Sequence, residues 1–267
     1  MRHGISEALS SHPLAVASMN EASSIIKERY PEYQEFVRRT GELRMDSAVK
    51  AMSRLEYYHS QTFYAVSSIV GTTERMENAQ LLIRRFPSPR TYLRQGIGYH
   101  DWLEYHFGYF LVSMVGLYDS ALVLTNTVLA LGNQHRNCTT SIVAGNSRVK
   151  GTPTGIALKQ LDKLMAPYRP VRNTHLHRGY RVDPSEILQS NDLDMFQMIS
   201  FVSLRDSTFC PKADLDALFG DSAGKMHSAM DVRLGEVQAT LSSLFDCLGP
   251  IYHRRCELLR SRHVKQV

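Results

Sequence analysis

A long apolar stretch lies near the middle of this chain: Tyr109-Phe-Leu-Val-Ser-Met-Val-Gly-Leu-Tyr-Asp-Ser-Ala-Leu-Val-Leu-Thr-Asn-Thr-Val-Leu-Ala-Leu131. At 100° per residue, large apolar side chains cover most of the helix surface, and the polar or small ones collect on one arc. That arc contains Tyr109, Ser113, Gly116, Asp119, Ser120, Asn126 and Thr127. The pattern predicts the central helix of a bundle, with one narrow polar face and an end at Gly132.

The same stretch is long enough to cross a bilayer. Asp119 near its centre would cost about 2.5–3.5 kcal/mol on insertion, and Asn126 would add to that. We therefore expect a core helix and no membrane span. The start of the chain, Met1-Arg2-His3-Gly4, lacks the apolar run of a secretion signal. The predicted location is the cytoplasm.

Helical spacing of apolar residues extends outward on both sides of this stretch. On the amino-terminal side it predicts helical segments over 14–30, 31–39 and 45–70, then a break at Gly71 and a restart at Thr73. On the carboxy-terminal side it predicts helices over 156–165 and 184–204, and two or three more over 211–263 that turn at Gly249-Pro250. Alternating β patterns are scarce. The predicted fold is all-α, a helical bundle.

The proline-rich segment Phe86-Pro87-Ser88-Pro89 suggests a boundary between two regions of the chain. It predicts an amino-terminal helical region over 1–88 that packs on a helical domain over 89–267. The two regions are compatible with one shared core.

Composition narrows the class of protein. With 43% hydrophobic and 21% charged residues over 267 positions, the chain is typical of a globular protein. Its four cysteines are scattered, which favours a reducing compartment over a disulfide framework or a zinc ribbon. The net charge of +5 favours polyanionic partners. Nucleophile-elbow, zinc-helix, Rossmann, P-loop and EF-hand motifs are not found, and we expect neither a metal nor a cofactor.

Chemistry-bearing residues concentrate in the stretch Arg169-Pro-Val-Arg-Asn-Thr-His-Leu-His-Arg-Gly-Tyr-Arg181. No acidic residue occurs between Lys163 and Val182. Pro170 lies where a helix can begin, and Gly179 lies where one can end. The cationic or titratable side chains in it are Arg169, Arg172, His175, His177, Arg178 and Arg181.

An arginine with a histidine suits RNA phosphodiester cleavage without a metal. A guanidinium binds phosphate and stabilises charge as it builds, and a histidine gives or takes a proton near neutral pH. On a helix, Arg172 and His177 lie five positions apart, about 140° around the axis, and share no stripe. Asn173 does share a stripe with His177. Two copies facing each other across a two-fold axis would bring both sets of groups around one cleft, which predicts a homodimer.

The motif Arg172-Asn173-Thr-His175-Leu-His177 resembles the Arg-x(4–6)-His motif of the HEPN superfamily, in the form with a polar residue after the arginine. The preceding order, a long core helix with Tyr118-Asp119 and then a short amphipathic helix, is also similar. The resemblance covers roughly residues 100–200 and is closest to large prokaryotic HEPN families. It departs from some toxin members, whose tyrosine lies two residues after the histidine, whereas Tyr180 lies three after His177.

The resemblance implies a four-helix HEPN-like core with extra amino- and carboxy-terminal helices. It implies a dimeric, metal-independent ribonuclease of toxin–antitoxin or antiviral defence systems, with an antitoxin or defence protein as a further partner. In that assignment Arg172 binds phosphate, His177 is the general acid/base and Asn173 orients the site.

Other residues have supporting roles in this hypothesis. The remaining cationic and histidine side chains, Arg169, His175, Arg178 and Arg181, would contact RNA. Asp119 is either a satisfied core acid or a partner of Arg172 or of the second subunit. Two alternative functions are an inactive HEPN-like module that binds RNA or nucleotide, and a helical protein-interaction module.

Overall fold

The computed structural model describes residues 4–41, 52–86, 92, 94–178, 182–206 and 208–264, without the side chains of 175–178, 186, 263 and 264. The predicted all-α class is confirmed: the described residues form helices and turns, with no strand among them. The α-helices are α1 (Ile5–Ser10), α2 (Pro13–Thr40), α3 (Arg54–Ile83), α4 (Tyr99–Val128), α5 (Thr140–Val143), α6 (Pro153–Met165), α7 (Arg169–Arg178), α8 (Pro184–Leu188), α9 (Asn191–Arg205) and α10 (Lys212–Val264). Short 3-10 turns occupy His135–Asn137 and Ala166–Tyr168.

The chain forms two compact units. Unit 1 comprises 1–71, 118–161 and 239–267, and unit 2 comprises 72–117 and 162–238. The limits of the units fall inside α3, α4, α6 and α10. The predicted division at residue 88 stays a prediction, and the prolines at 87 and 89 that suggested it lie outside the described residues.

The predicted core helix is α4, which begins ten residues before the quoted stretch, at Tyr99. Its large apolar side chains are almost fully buried, among them Leu111, Met114, Leu117, Leu122 and Leu124. The predicted polar arc is its more exposed face, with Tyr109 and Asp119 exposed and Ser113, Gly116, Ser120 and Thr127 half-buried. Asn126 is the buried member. Its amide donates to the carbonyl of Asn133 at 2.9 Å and so fixes the turn after the helix.

By length and composition α4 is also the one described helix that is able to cross a membrane. In its most apolar 18-residue window, 61% is buried within the protein. The core helix of a globular protein has the same features, so this observation does not favour a membrane span.

The predicted break at Gly71 is wrong, because α3 continues from Arg54 to Ile83. A glycine inside a helix destabilises it by roughly 0.5–1 kcal/mol relative to alanine. On either side of Gly71, Ile69 and Met76 are fully buried. Burying one such side chain contributes about 1.5–3 kcal/mol, which exceeds the penalty of the glycine.

The predicted turn at Gly249-Pro250 is wrong for the same reason. A single helix, α10, runs through Pro250 for 53 residues. An interior proline removes one helical hydrogen bond and destabilises a helix by about 3 kcal/mol. The adjacent turns bury Phe245, Leu248 and Tyr252 almost completely, which holds both sides of the proline in helical conformation.

The two segments predicted on either side of Pro31 join into one helix, α2.

The helix predicted over 184–204 is interrupted. α8 ends at Leu188, and Gln189 takes a left-handed conformation with φ 51°. Helix α9 then starts at Asn191 with Asp192 and Asp194 in its first turn. Acidic side chains there favour a new helix start, because the helix dipole is positive at that end.

Candidate functional site

The basic motif lies on α7, which begins at Arg169, so that Pro170 is its second residue, as predicted. The predicted end of the helix at Gly179 lies outside the described residues. The backbone is already right-handed helical at Met165 and at Arg169, across the 3-10 turn. The N–H of Arg169 donates to the carbonyl of Ala166, and Pro170 has no N–H. Neither of the first two residues of the helix therefore offers a free N–H group to an anion.

Two described contacts in unit 2 fix the ends of the motif. Before it, the guanidinium of Arg233 on α10 lies 5.8 Å from the ring centre of Tyr168. After it, Val182 is 2% exposed and packs against Gly108 on α4. A Cβ added to Gly108 would lie 3.2 Å from Cγ2 of Val182, so only glycine allows this close approach without a shift. The motif is thus held to α4 and α10 at its two ends.

Arg172 and Asn173 are hydrogen-bonded to each other. The Nε and Nη2 atoms of Arg172 donate to Oδ1 of Asn173 at 3.2 and 3.1 Å. Arg172 is half-buried, and Asn173 is exposed. The amide thus orients the guanidinium, and Asn173 itself is open to solvent.

Arg169 forms an ion pair with Asp162. Asp162 lies one residue before the acid-free interval, seven positions from Arg169, and the 3-10 turn brings the two together. The side chains of both are about one-third exposed. RNA binding by Arg169, as predicted, would have to compete with this carboxylate.

Several predicted site residues lie outside the described residues. Helix α7 extends through residue 178, but the side chains of His175, His177 and Arg178 are not described, and neither is any part of Tyr180 or Arg181. Their assigned roles stay predictions.

Asp119 belongs to unit 1, whereas α7 belongs to unit 2. Its side chain is exposed, so the interpretation of Asp119 as a core acid is wrong. Its pairing with Arg172 or with a second subunit stays a prediction.

Three further polar residues of unit 2, His100, Glu104 and His106, were not predicted as candidate site residues. On α4, His100 Nε2 lies 3.6 Å from Glu104 Oε2, and both side chains are nearly buried. His106 is 6% exposed, and its Nε2 has no hydrogen-bond partner among the described residues. Burial lowers the pKa of His106. The signal was present as a His-x-x-x-Glu-x-His spacing, which places His100 and Glu104 on one helix face.

A second buried polar cluster lies in unit 1. His59 Nδ1 is 2.6 Å from the hydroxyl of Tyr252 and 4.0 Å from Sγ of Cys256. Its Nε2 lies 3.8 Å from Glu21 Oε2, and Arg260 donates to Glu21 at 2.7 Å. Burial lowers the pKa of His59 and raises that of the Cys256 thiol to about 11. Burial therefore favours a neutral imidazole and a protonated thiol in this cluster.

Cavities and metal-ligand groups do not point to another site. A cleft of about 660 Å³ in unit 2 is lined by Arg84, Leu188, Ser190, Leu193, Gly220, Asp221, Gly224, Lys225, Ser228 and Ala229, and contains no predicted site residue. Its Lys225 is bound by Asp192 and Asp221, at 2.6 and 2.9 Å. Within the described ranges, no group of three or more histidine, cysteine or acidic residues is placed to hold a metal ion.

Comparison with known proteins shows no matching family model and no significant similarity to a curated protein or a solved structure. The candidate site therefore rests on the chemistry of α7 itself.

Proposed function

We propose that this protein is a metal-independent endoribonuclease of the HEPN type, acting as a homodimer in a toxin or antiviral defence context. The observation that carries the proposal is the Arg172–Asn173 pair on a solvent-accessible helix that lacks acidic residues. Such a pair can bind a phosphodiester through a guanidinium already held in position.

The helix geometry supports the dimer. Because residues 169–178 are helical, Arg172 and His177 lie about 140° apart around the axis and about 7.5 Å apart along it. In one copy of α7 the backbone positions of Arg172 and His177 therefore lie on different faces of the helix. A second copy would supply the complementary group to the same phosphate.

The proposed reaction is an internal transesterification. A histidine takes the proton of the ribose 2′-hydroxyl, and the 2′-oxygen attacks the adjacent phosphorus. The P–O5′ bond breaks, and the 5′-oxygen takes a proton from an imidazolium. Arg172 stabilises the charge that builds on the phosphoryl oxygens. The products are a 2′,3′-cyclic phosphate and a 5′-hydroxyl.

End-group analysis tests this chemistry. A mixed-sequence single-stranded RNA is incubated with the protein in EDTA, and the fragments are treated with a 3′-phosphatase that acts only on opened phosphates. We expect 5′-hydroxyl fragments whose 3′ ends resist the phosphatase until acid opens the cycle. Fragments with 5′-phosphate ends would contradict the mechanism. Salt-dependent RNA binding without cleavage would select an RNA-binding HEPN-like module instead.

A further inference from the structure

Helix α9 in unit 2 exposes large apolar side chains on the face opposite its core contacts. Leu193, Phe196 and Ser200 are buried, and Leu204 packs against Gly98. The opposite face carries Asp194, Met198, Phe201 and Arg205, flanked by Met195 and Val202, and all six are exposed. We call these six residues the α9 stripe. Met198 is 65% exposed and Phe201 is 53% exposed, which is unusual for adjacent large apolar side chains on one face.

The α9 stripe is complementary to itself. Four of its residues, Asp194, Met198, Phe201 and Arg205, are spaced i, i+4, i+7 and i+11. They therefore lie in one row along the helix. The row begins with a carboxylate, continues with two apolar side chains and ends with a guanidinium. Reversing its direction places opposite charges against each other at both ends, about 16 Å apart. Asp194 then meets Arg205, and Met198 meets Phe201.

Arg205 is already oriented along the row. Its guanidinium lies 4.4 Å from the ring centre of Phe201, which it covers. Asp194 has no ion pair with any described residue. An approaching carboxylate would therefore find the guanidinium held in place, with an apolar contact beside it.

We propose that a second copy of this chain docks antiparallel on the α9 stripe, through a two-fold axis between Met198 and Phe201. A two-fold interface uses the same surface on both copies, so each contact occurs twice. One helix pair buries less than a standard interface, so we expect a dissociation constant on the order of 1–100 µM.

Charge reversal tests the register of this pairing. Asp194→Arg places arginine opposite arginine at both ends, and Arg205→Asp places aspartate opposite aspartate. Each single variant should raise the dissociation constant about tenfold or more. An equimolar mixture of the two single variants restores an opposite pair at both ends. By sedimentation velocity, the mixture and the double variant Asp194→Arg/Arg205→Asp should both form dimers at concentrations where each single variant is monomeric.

The apolar centre is tested separately. Met198→Asp should abolish the dimer, whereas Met19→Asp, at another exposed methionine, which lies on α2, should leave it intact. Far-UV circular dichroism verifies that each variant is folded. A parent that is monomeric at 200 µM, or a mixture of the two charge variants that stays monomeric, would overturn the proposal. The pairing does not rest on the proposed ribonuclease, since loss of cleavage with an intact dimer rejects only the ribonuclease.

Discussion

Asn173 Oδ1 accepts two hydrogen bonds from the guanidinium of Arg172, its immediate neighbour on α7. Adjacent residues on a helix point about 100° apart, so the two side chains meet only by bending toward each other at the surface. The amide thereby limits the freedom of a long side chain that would otherwise sample many rotamers. In the proposed ribonuclease, Asn173 is a positioning residue for Arg172.

Replacing Asn173 tests how the orientation of the Arg172 guanidinium affects cleavage, without a change in the charge of α7. Asn173→Ala leaves the charge of α7 unchanged, so RNA affinity should stay within about twofold. Single-turnover cleavage should slow about tenfold or more, because the guanidinium loses its fixed orientation. Asn173→Gln, with the same amide on a longer stem, should recover part of the rate. An Asn173→Ala variant that cleaves as fast as the parent would remove Asn173 from the site.

Breaking the Asp162–Arg169 ion pair should strengthen RNA binding. Asp162→Asn removes the carboxylate that competes with phosphate for Arg169, so RNA affinity at low salt should rise about threefold to tenfold. The slope of log affinity against log salt should steepen by about 0.7, the value for one more contact to a single strand. The control is Asp214→Asn, which removes the same charge from an exposed position on α10. Equal effects of the two variants would mean that Arg169 does not bind RNA.

The contact between Gly108 and Val182 predicts different outcomes for two glycines of α4. Gly116 has open space where a Cβ would be, so Gly116→Ala should raise stability by about 0.5–1 kcal/mol through helix propensity. Gly108→Ala should gain less or lose stability, because its Cβ would lie 3.2 Å from Val182. Thermal unfolding of both variants measures the difference. A larger gain at Gly108 than at Gly116 would contradict the close packing.

Buried histidines predict acid sensitivity. The pKa values of His59 and His106 are lowered in the folded protein, so the unfolded chain binds more protons as the pH falls below about 6.5. Stability should therefore be full above that pH and decline below it, by up to about 1.4 kcal/mol per pH unit for each histidine. His106→Phe should flatten the decline between pH 7 and 5 in urea titrations. His135→Phe, at an exposed histidine, should not. An unchanged slope in His106→Phe would contradict the assignment.

The helices that the sequence predicts well are those whose signal is local. Helix α4 follows from a long apolar pattern, and the start of α7 follows from Pro170. Gly71 and Pro250 gave the wrong prediction, because a local breaking signal was weighed without the burial of the residues around it. Burial depends on the whole fold and is not visible in a short window.

The candidate site was predictable in its residue types and less so in its environment. Arg172 and Asn173 are consecutive in the sequence, so their proximity could be predicted. The ion pair of Arg169 with Asp162 depends on a 3-10 turn, and the packing of Val182 on Gly108 joins residues 74 positions apart. The helical spacing of residues carries no information about such contacts.

Cleavage of RNA in EDTA by matched variants tests whether Arg172 and His177 form a ribonuclease site. Arg172→Ala should slow cleavage about 10²–10³-fold, and His177→Ala should slow it about 10²–10⁴-fold. Lys163→Ala, at an exposed cation on α6, should cleave within about twofold of the parent. We expect both motif variants to lose activity while they remain folded like the parent. A parent that leaves RNA intact, or motif variants that cleave as fast as the parent, would contradict it.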